Sequence, residues 1–260
     1  MIAAGVFLAL AASSYWLGRV AFTPSSDTET TQAILGDEEI RSEIAALVAG
    51  ADAPVLNQSP AQLKEYIEQI ATIPAGAAVM ADFVGEAHAR LIGERDEPVR
   101  ISGPQQVLIV RDELVALQQP VTLPVQEVGS VALVNGAVGW ISTICAILGL
   151  VSLIVGMIMR PERGEFTLAL GIGLASLGVS MIVLGYLVPL ALLPAFSGTT
   201  WTGVFSLLAN HWRTVTFAIG LIAIVLAGLV MFGTTSLRQR RQWSTPLAVG
   251  RYREDRSWSR

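Results

Sequence analysis

The sequence predicts an all-α membrane protein with four transmembrane helices and a small helical domain between the first and second spans. Half of its residues are hydrophobic (52%), and its mean hydropathy is +0.56, values that a soluble domain seldom reaches. Residues 138–159 and 166–189 carry no charged side chain, and the charged segment Arg160 to Glu165 separates them. Because about 20 apolar residues cross a hydrocarbon core of about 30 Å, these two stretches predict a transmembrane hairpin.

Two further apolar stretches complete the predicted spans. Residues 1–22 contain a single charge, Arg19, and residues 215–233 contain none. A cleaved signal peptide is the alternative for the first stretch, but such peptides begin with basic residues, and none precedes this apolar run. Tyr15, Trp16 and Arg19 are typical of an interfacial helix end, so we expect a retained anchor. The missing leading charges leave the true start codon open.

Arginines near the ends of the spans predict the orientation. Cytoplasmic loops are enriched in Lys and Arg, and the residues that decide the topology are Arg160, Arg163, Arg238, Arg240 and Arg241. The prediction is a multi-pass protein of the plasma membrane with both termini cytoplasmic and residues 23–136 extracytoplasmic. That outer segment carries 17 acidic and 6 basic side chains, a net charge of −11, and the cytoplasmic tail 234–260 has a net charge of +5. A basic tail beside a membrane is attracted to anionic lipid, so we expect the bilayer as its partner and no nucleic acid.

Residues typical of helix starts and helix ends divide the outer domain into separate predicted helices. Thr23 to Thr31 is rich in Ser and Thr and predicts a linker. A first helix should begin at Asp37–Glu39 and end at Gly50, a second should follow Ser59-Pro60, and a third should run from Pro74 to Gly93. Residues 98–102 favour a short extended piece, and a fourth helix is expected from Pro104 to Leu117.

The sequence contains no pattern typical of catalysis or metal binding. Its two histidines, His88 and His211, lie far apart, whereas a zinc site needs three or four converging ligands. The single cysteine, Cys145, lies within a span, where we expect it to pack. We therefore predict no enzyme activity, no cofactor and no metal site.

The glycines of the third span are expected to pack helices rather than bind a nucleotide. The glycines within residues 171–178 only superficially resemble those of a nucleotide-binding loop. Such a loop follows a strand, whereas these residues follow none and lie within an apolar span. Small residues spaced by four allow close helix approach. The predicted helix-packing residues are Gly171, Ala175, Ser176 and Ser180, and they favour a compact bundle.

An apolar stripe precedes the fourth span, on the predicted interfacial helix 200–212. One helical face carries Trp201, Val204, Phe205, Leu208 and Trp212. Such a face is typical of a helix lying on the membrane surface or of a contact with another membrane subunit. Both alternatives stay open at the level of sequence.

The arrangement resembles a set of actinobacterial multi-pass membrane proteins of unknown function that have a helical extracytoplasmic domain. The likeness rests on Leu91-Ile-Gly93, on Pro98 to Ser102, on Leu123-Pro124 before the second span, and on Arg160 to Glu165. It implies an anchor helix, an acidic outer domain and three further spans. It implies no catalytic residues.

These observations favour a non-enzymatic accessory or assembly subunit of a membrane complex in the bacterial envelope, acting through its extracytoplasmic domain. A membrane-protein partner or a homo-oligomer is the expected assembly. One alternative is a small transporter or channel component, although polar residues at mid-membrane depth are limited to a few hydroxyls such as Ser142, Thr143 and Ser176. The other alternative is an extracytoplasmic sensor.

Overall fold

The computed structural model describes residues 1–24, 26–159, 163–196 and 198–243, and it describes their side chains except at 163–164 and 234–243. Four helices are long and apolar enough to cross a membrane: Ile2–Ala21, Gly129–Ile158, Glu165–Phe196 and Arg213–Gly233. Shorter helices lie between the first and second spans. The predicted all-α fold with four candidate spans is confirmed.

The spans form a row. Helix α1 (Ile2–Ala21) packs against both α7 (Gly129–Ile158) and α8 (Arg163–Ile182), and α8 packs in turn against α10 (Arg213–Trp243). Among the spans, α7 packs extensively only along α1. The order α7–α1–α8–α10 therefore replaces the compact bundle that the small residues favoured, because those residues bring helices together in pairs.

The third span continues beyond the proline at which we expected it to end. Helix α8 passes directly into a π-helix, Val183–Leu192, with Pro189 inside it. Proline lacks the N–H that an α-helical turn uses and its ring crowds the preceding turn; a wider turn is one way in which a helix absorbs such a residue. The span accordingly reaches Phe196.

Five helices and one small sheet make the outer domain. The helices are α2 (Thr28–Leu35), α3 (Glu38–Leu56), α4 (Pro60–Thr72), α5 (Pro74–Leu91) and α6 (Gly103–Val110). Strands β1 (Arg100–Ile101) and β2 (Val121–Thr122) pair antiparallel, with Arg100 opposite Thr122. The extended piece near residue 100 is therefore confirmed, whereas its partner strand and α2, which occupies part of the expected linker, were not predicted.

Helix starts agree with the predictions better than helix ends. The Asp37 carboxylate accepts hydrogen bonds from the backbone N–H groups of Glu39 and Ile40, which caps α3 as expected. Gly50 does not end this helix; α3 continues to Leu56 and ends at Asn57, which takes a left-handed conformation with φ of 50°. An exposed glycine costs a helix only about 1 kcal/mol, and the buried Ala49, Asp52 and Ala53 carry the packed face past it.

The fourth predicted helix is shorter than expected. Helix α6 stops at Val110 because Arg111 adopts a positive φ of 60°, and a single 3₁₀ turn, Glu113–Val115, follows. Gly93, with φ of 76°, follows α5 as predicted.

Helices α4 and α5 together are apolar enough to resemble a broken span, but they are bent by 96° and bury Leu63, Ile67 and Phe83 in the core of the outer domain.

One hydrophobic core runs through the outer domain and into the outer ends of the spans. It contains Leu17, Ala21 and Phe22 from the end of α1 and the inner faces of α3 to α5. From the end of the third span and the segment after it come Leu193, Trp201, Val204, Phe205 and Leu208. Helix α7 has 30 residues, a length of about 45 Å, so its first turns lie beyond the hydrocarbon and bury Val131 against the domain. The outer domain is consequently fixed on the spans.

Candidate functional site: the junction of outer domain and spans, and a polar groove beside it

A short helix between the third and fourth spans fills the junction. This helix, α9 (Val204–His211), follows a 3₁₀ turn, Thr200–Gly203. It packs against α2 of the outer domain, against the end of α1, and against the π-helix of the third span. The junction therefore joins the domain to two spans through one helix.

The apolar stripe predicted to face lipid or a partner forms the buried side of this helix. Four of its members are at most 2% exposed, namely Trp201, Val204, Phe205 and Leu208. The fifth, Trp212, is half-buried and packs edge-on against Trp16 of α1, with ring centroids 5.9 Å apart. The structure thus corrects both open alternatives, because the outer domain of the same chain covers the stripe.

His88 lies at the centre of the junction. Its side chain is 2% exposed, and its Nε2 lies 2.9 Å from the backbone oxygen of Ala21, the last residue of α1. The ring of Phe205 packs edge-on against His88, and the ring of Phe22 also packs against Phe205, with centroids 6.1 Å apart. Burial lowers the pKa of His88 to about 4, against a smaller opposite effect of the Ala21 hydrogen bond, so the ring is neutral and donates from Nε2.

Two acidic side chains of α3, which packs beside the junction, are shielded from solvent: Glu43 is half-buried and Asp52 is fully buried. Burial raises the pKa of Glu43, and an interaction with the indole of Trp201 partly offsets this. Asp52 is 0% exposed, and neither of its carboxylate oxygens has a hydrogen-bond partner among the described residues. Burial raises the pKa of Asp52 to about 6. A carboxyl group that titrates near neutral pH can respond to the pH of its compartment.

A polar groove opens beside the junction, where α1 and α7 leave the membrane. It has a volume of about 410 Å³ and is open to the surroundings. Helix α1 and the residues after it contribute Ser14, Tyr15, Gly18, Arg19, Phe22 and Thr23; helix α7 contributes Asn135, Val138, Gly139, Ser142 and Thr143. Arg19 is the only charged group that lines the groove, and its side chain is exposed.

The predicted packing residues of the third span face two different neighbours. A Cβ atom added to Gly171 would lie 2.8 Å from Met231 of α10, whereas Ser180 hydrogen-bonds Ser13 of α1 at 2.7 Å. Ala175 and Ser176 line a second, apolar groove between α8 and α1. A close backbone approach between α1 and α8 lies at a glycine pair that the sequence did not single out: a Cβ on Gly5 would lie 2.9 Å from Gly173 Cα.

Polar side chains also tie three spans together near the junction. The indole N–H of Trp16 donates to Thr216 of α10 at 3.0 Å. A Cβ on Gly185, in the π-helix, would lie 2.7 Å from the Trp16 ring. Trp16 therefore links α1, the third span and α10 at the depth where the outer domain begins.

The side chains of the arginines predicted to determine the topology fall outside what the structure describes. Arg160 is not described, and of Arg163, Arg238, Arg240 and Arg241 only the helical backbone is. The structure does place Met1 against Gly156 at the membrane end opposite the outer domain. Met159 and Glu165 lie beside Met1 at that same end, as four alternating spans require.

Among the described residues, no group of three or more His, Cys, Asp or Glu side chains is arranged to hold a metal ion. Cys145 has a free thiol. The Glu86–Arg90 pair that i, i+4 spacing suggests does not form: Glu86 pairs with Arg95 at 3.1 Å, and Arg90 donates to the backbone oxygens of Val125 and Asp96. Arg90 thus fixes the segment that leads into α7.

Comparison with known proteins identifies no relative. Neither a protein-family model, nor a curated protein, nor a solved structure matches this chain. The function is therefore argued from the chain's own residues.

Sequence reasoning missed the three most distinctive polar features. Asp52 was counted as one more surface acid, although its place between Ala49 and Ala53 on the packed face of α3 predicts burial. His88 follows Phe83, Val84 and Ala87, all buried on one face of α5, which also predicts a core position. The groove has no such sequence pattern, because it depends on which two helices meet.

Proposed function

We propose that this chain is a non-enzymatic accessory or assembly subunit of a membrane complex, and that its outer domain makes the contact with the partner. The proposal includes a bacterial plasma membrane with residues 23–136 on its outer face. That orientation rests on the arginines at 160, 163, 238, 240 and 241. The bacterial setting rests on the resemblance to actinobacterial membrane proteins.

Exposed leucines on one segment of the outer domain carry the proposal. Leu108, Leu114 and Leu117 are 58%, 66% and 98% exposed. The other leucines described between residues 26 and 128 are buried or half-buried. Single exposed apolar residues are common, but several close together mark contact surfaces. The positive φ of Arg111 ends α6 and turns this leucine segment, residues 108–117, away from a regular helix.

The fixed position of the domain supports the same proposal. Because α9 and α7 hold it on the spans, a partner bound at the leucine segment would be kept in a defined place relative to the membrane. The row of four spans gives less support to the transporter alternative, since a transport pathway needs helices that surround it. Homo-oligomerisation would change this argument and is an outcome of the test.

Surface substitutions test the proposal better than a deletion, because removing the domain would expose the buried face of α9. The variant replaces Leu108, Leu114 and Leu117 with serine. The control replaces three exposed polar residues of α4 with serine, namely Gln62, Glu65 and Gln69. Tagged proteins are purified from membranes in mild detergent, and stoichiometric partners are quantified by mass spectrometry.

We expect the wild type and the α4 control to retain a reproducible partner set and the leucine variant to lose most of it. Equal partner recovery in all three proteins would refute the leucine segment as the contact. A wild type that purifies without any partner, or only with copies of itself, would refute the accessory-subunit proposal.

The extracytoplasmic sensor is a second candidate, and Asp52 supports it. A buried carboxyl group with a pKa of about 6 and no hydrogen-bond partner among the described residues changes its charge near neutral pH. The domain is rigidly joined to the spans, so such a change can reach the membrane. A pH-dependent change in the protein that Asp52→Asn abolishes is the evidence this candidate needs.

A further inference from the structure

The polar groove between α1 and α7 lies at the depth of lipid headgroups. Helix α1 has 20 residues, about the length that crosses the hydrocarbon core, and Arg19 stands two residues before its outer end. Tyr15 and Trp16, one turn deeper, are the residue types that concentrate at membrane interfaces. The groove therefore faces the headgroup region and the outermost part of the acyl chains.

Arg19 is a cation without a partner inside the described protein. The ion pairs of the described residues all lie in the outer domain, where they join Lys64 to Glu68 and Arg95 to Glu86 and Glu97. The lining of the groove contains no acid. Asn135, which lines the groove, contacts the Glu94 carboxylate at 3.5 Å, and Glu94 itself does not line the groove.

The groove offers donors for an anion at one end and apolar surface at the other. Thr23, Ser142 and Thr143 donate their hydroxyls to backbone oxygens of the helices. The Arg19 guanidinium and the 67% exposed Tyr15 remain turned outward. One helical turn below Thr143, on the same face of α7, Ile147 is 57% exposed.

We propose that this groove binds the phosphate of an anionic membrane lipid, with the acyl chains lying along the exposed face of α7. A guanidinium binds phosphate oxygens through two parallel, charge-assisted hydrogen bonds. Basic pockets between transmembrane helices on the cytoplasmic side are known to hold such headgroups, and the same charge complementarity applies to a groove at the outer end of the spans. The proposal is independent of the partner proposed for the outer domain.

Two variants with matched controls test the site by different means. Arg19→Gln removes the charge, and Arg213→Gln removes an exposed arginine at the outer end of α10, away from the groove. Gly139→Leu fills the groove without touching charge, because a Cβ added at Gly139 meets no atom within 4 Å. Ala137→Leu places the same side chain on the opposite face of α7 as its control.

Binding is measured by native mass spectrometry of the full-length protein in detergent, with phosphatidylglycerol added over a range of concentrations. Phosphatidylcholine and inorganic phosphate serve as comparison ligands. Circular dichroism checks that every variant keeps the wild-type helix content. Should Arg19→Gln fail this check, the Gly139→Leu pair still tests the groove.

We expect the wild type to bind one phosphatidylglycerol with high affinity. Arg19→Gln should weaken this binding about tenfold or more, because it removes hydrogen bonds to a charged group. Gly139→Leu should weaken it about tenfold, because the added side chain occupies the groove. Arg213→Gln and Ala137→Leu should bind as the wild type does. Unchanged binding in Gly139→Leu, or equal losses in Arg19→Gln and Arg213→Gln, would overturn the site. Equal binding of phosphatidylcholine, or displacement by inorganic phosphate at similar concentrations, would overturn an anionic lipid as its occupant.

Discussion

Single buried polar residues distinguish this protein more than any motif does. Asp52 and His88 are both essentially inaccessible, and burial shifts their pKa values in opposite directions, to about 6 and about 4. Burial disfavours whichever form is charged. For the carboxyl group the proton is held more tightly in the folded state, and for the imidazole it is held less tightly.

Replacing Asp52 with asparagine should stabilise the protein at neutral pH. In the unfolded chain the carboxyl group ionises near its ordinary pKa of 3.8, whereas in the folded state it ionises near 6. Stability is therefore lost as the pH rises from 3.8 to 6, and above 6 the buried charge costs about 3 kcal/mol. We expect Asp52→Asn to raise the thermal unfolding midpoint in detergent at pH 7.5 and to have little effect at pH 4. Asp82→Asn, at an exposed carboxyl group on α5, should leave the midpoint unchanged. A lower midpoint for Asp52→Asn than for the wild type at pH 7.5 would contradict the prediction.

His88 should make the Asp52→Asn variant sensitive to acid. In the unfolded chain a histidine gains its proton near pH 6.5, whereas in the folded protein His88 stays neutral until about pH 4. This group therefore lowers the free energy of unfolding as the pH falls between those values. In the wild type, Asp52 acts in the opposite direction over nearly the same interval. We expect the unfolding midpoint of Asp52→Asn to fall more steeply between pH 6.5 and 4 than that of the wild type. Adding His88→Gln, which keeps a donor for Ala21, should flatten the curve, and adding His211→Gln should not.

Glycines decide how closely neighbouring spans approach. At the crossing of α1 and α8, Gly5 and Gly173 bring the two backbones within contact distance, and at the crossing of α8 and α10 a Cβ on Gly178 would lie 2.7 Å from the Gly220 oxygen. Backbone atoms cannot move aside as a flexible side chain can. The row of spans therefore depends on particular glycines, and not on every glycine in an apolar helix.

A valine at Gly173 should separate α1 from α8. The added Cβ would lie 3.0 Å from Gly5 Cα, and overpacking of this kind typically costs about 1–3 kcal/mol. Gly228→Val is the matched control in α10, since a Cβ there meets nothing within 4 Å. The detergent unfolding midpoint should fall for Gly173→Val alone. Equal midpoints for the two variants would show that the helices do not cross at this glycine.

The starts of helices could be predicted from the sequence because their causes are local. Asp37, Pro60 and Pro74 act on the turn that follows them, and all three begin helices within one residue of the expected position. The partner of a packed face is not local. The stripe on α9 correctly indicated one apolar side, but only the folded chain shows that Phe22 and His88, and not lipid, cover it.

The described part of the chain forms one folded body in which the outer domain rests on the spans through α9. Leu208 is 2% exposed in this junction, and α9 contacts the outer domain, α1 and the third span. Anything bound by the outer domain is therefore held in a fixed position relative to the membrane helices. An outer domain on flexible linkers would have no such coupling, and both the partner contact proposed for the outer domain and the sensor candidate depend on this difference.

The most direct test of this shared core is hydrogen exchange of the full-length Leu208→Ala variant in detergent, read by mass spectrometry. Truncating a buried leucine costs about 2–5 kcal/mol, and we expect faster exchange in α2, in α5 and at the outer end of α1 as well as in α9. Leu229→Ala, at a 64% exposed position of α10, should leave exchange in the outer domain unchanged. Faster exchange confined to α9, with α2 and α5 as protected as in the wild type, would contradict a shared core.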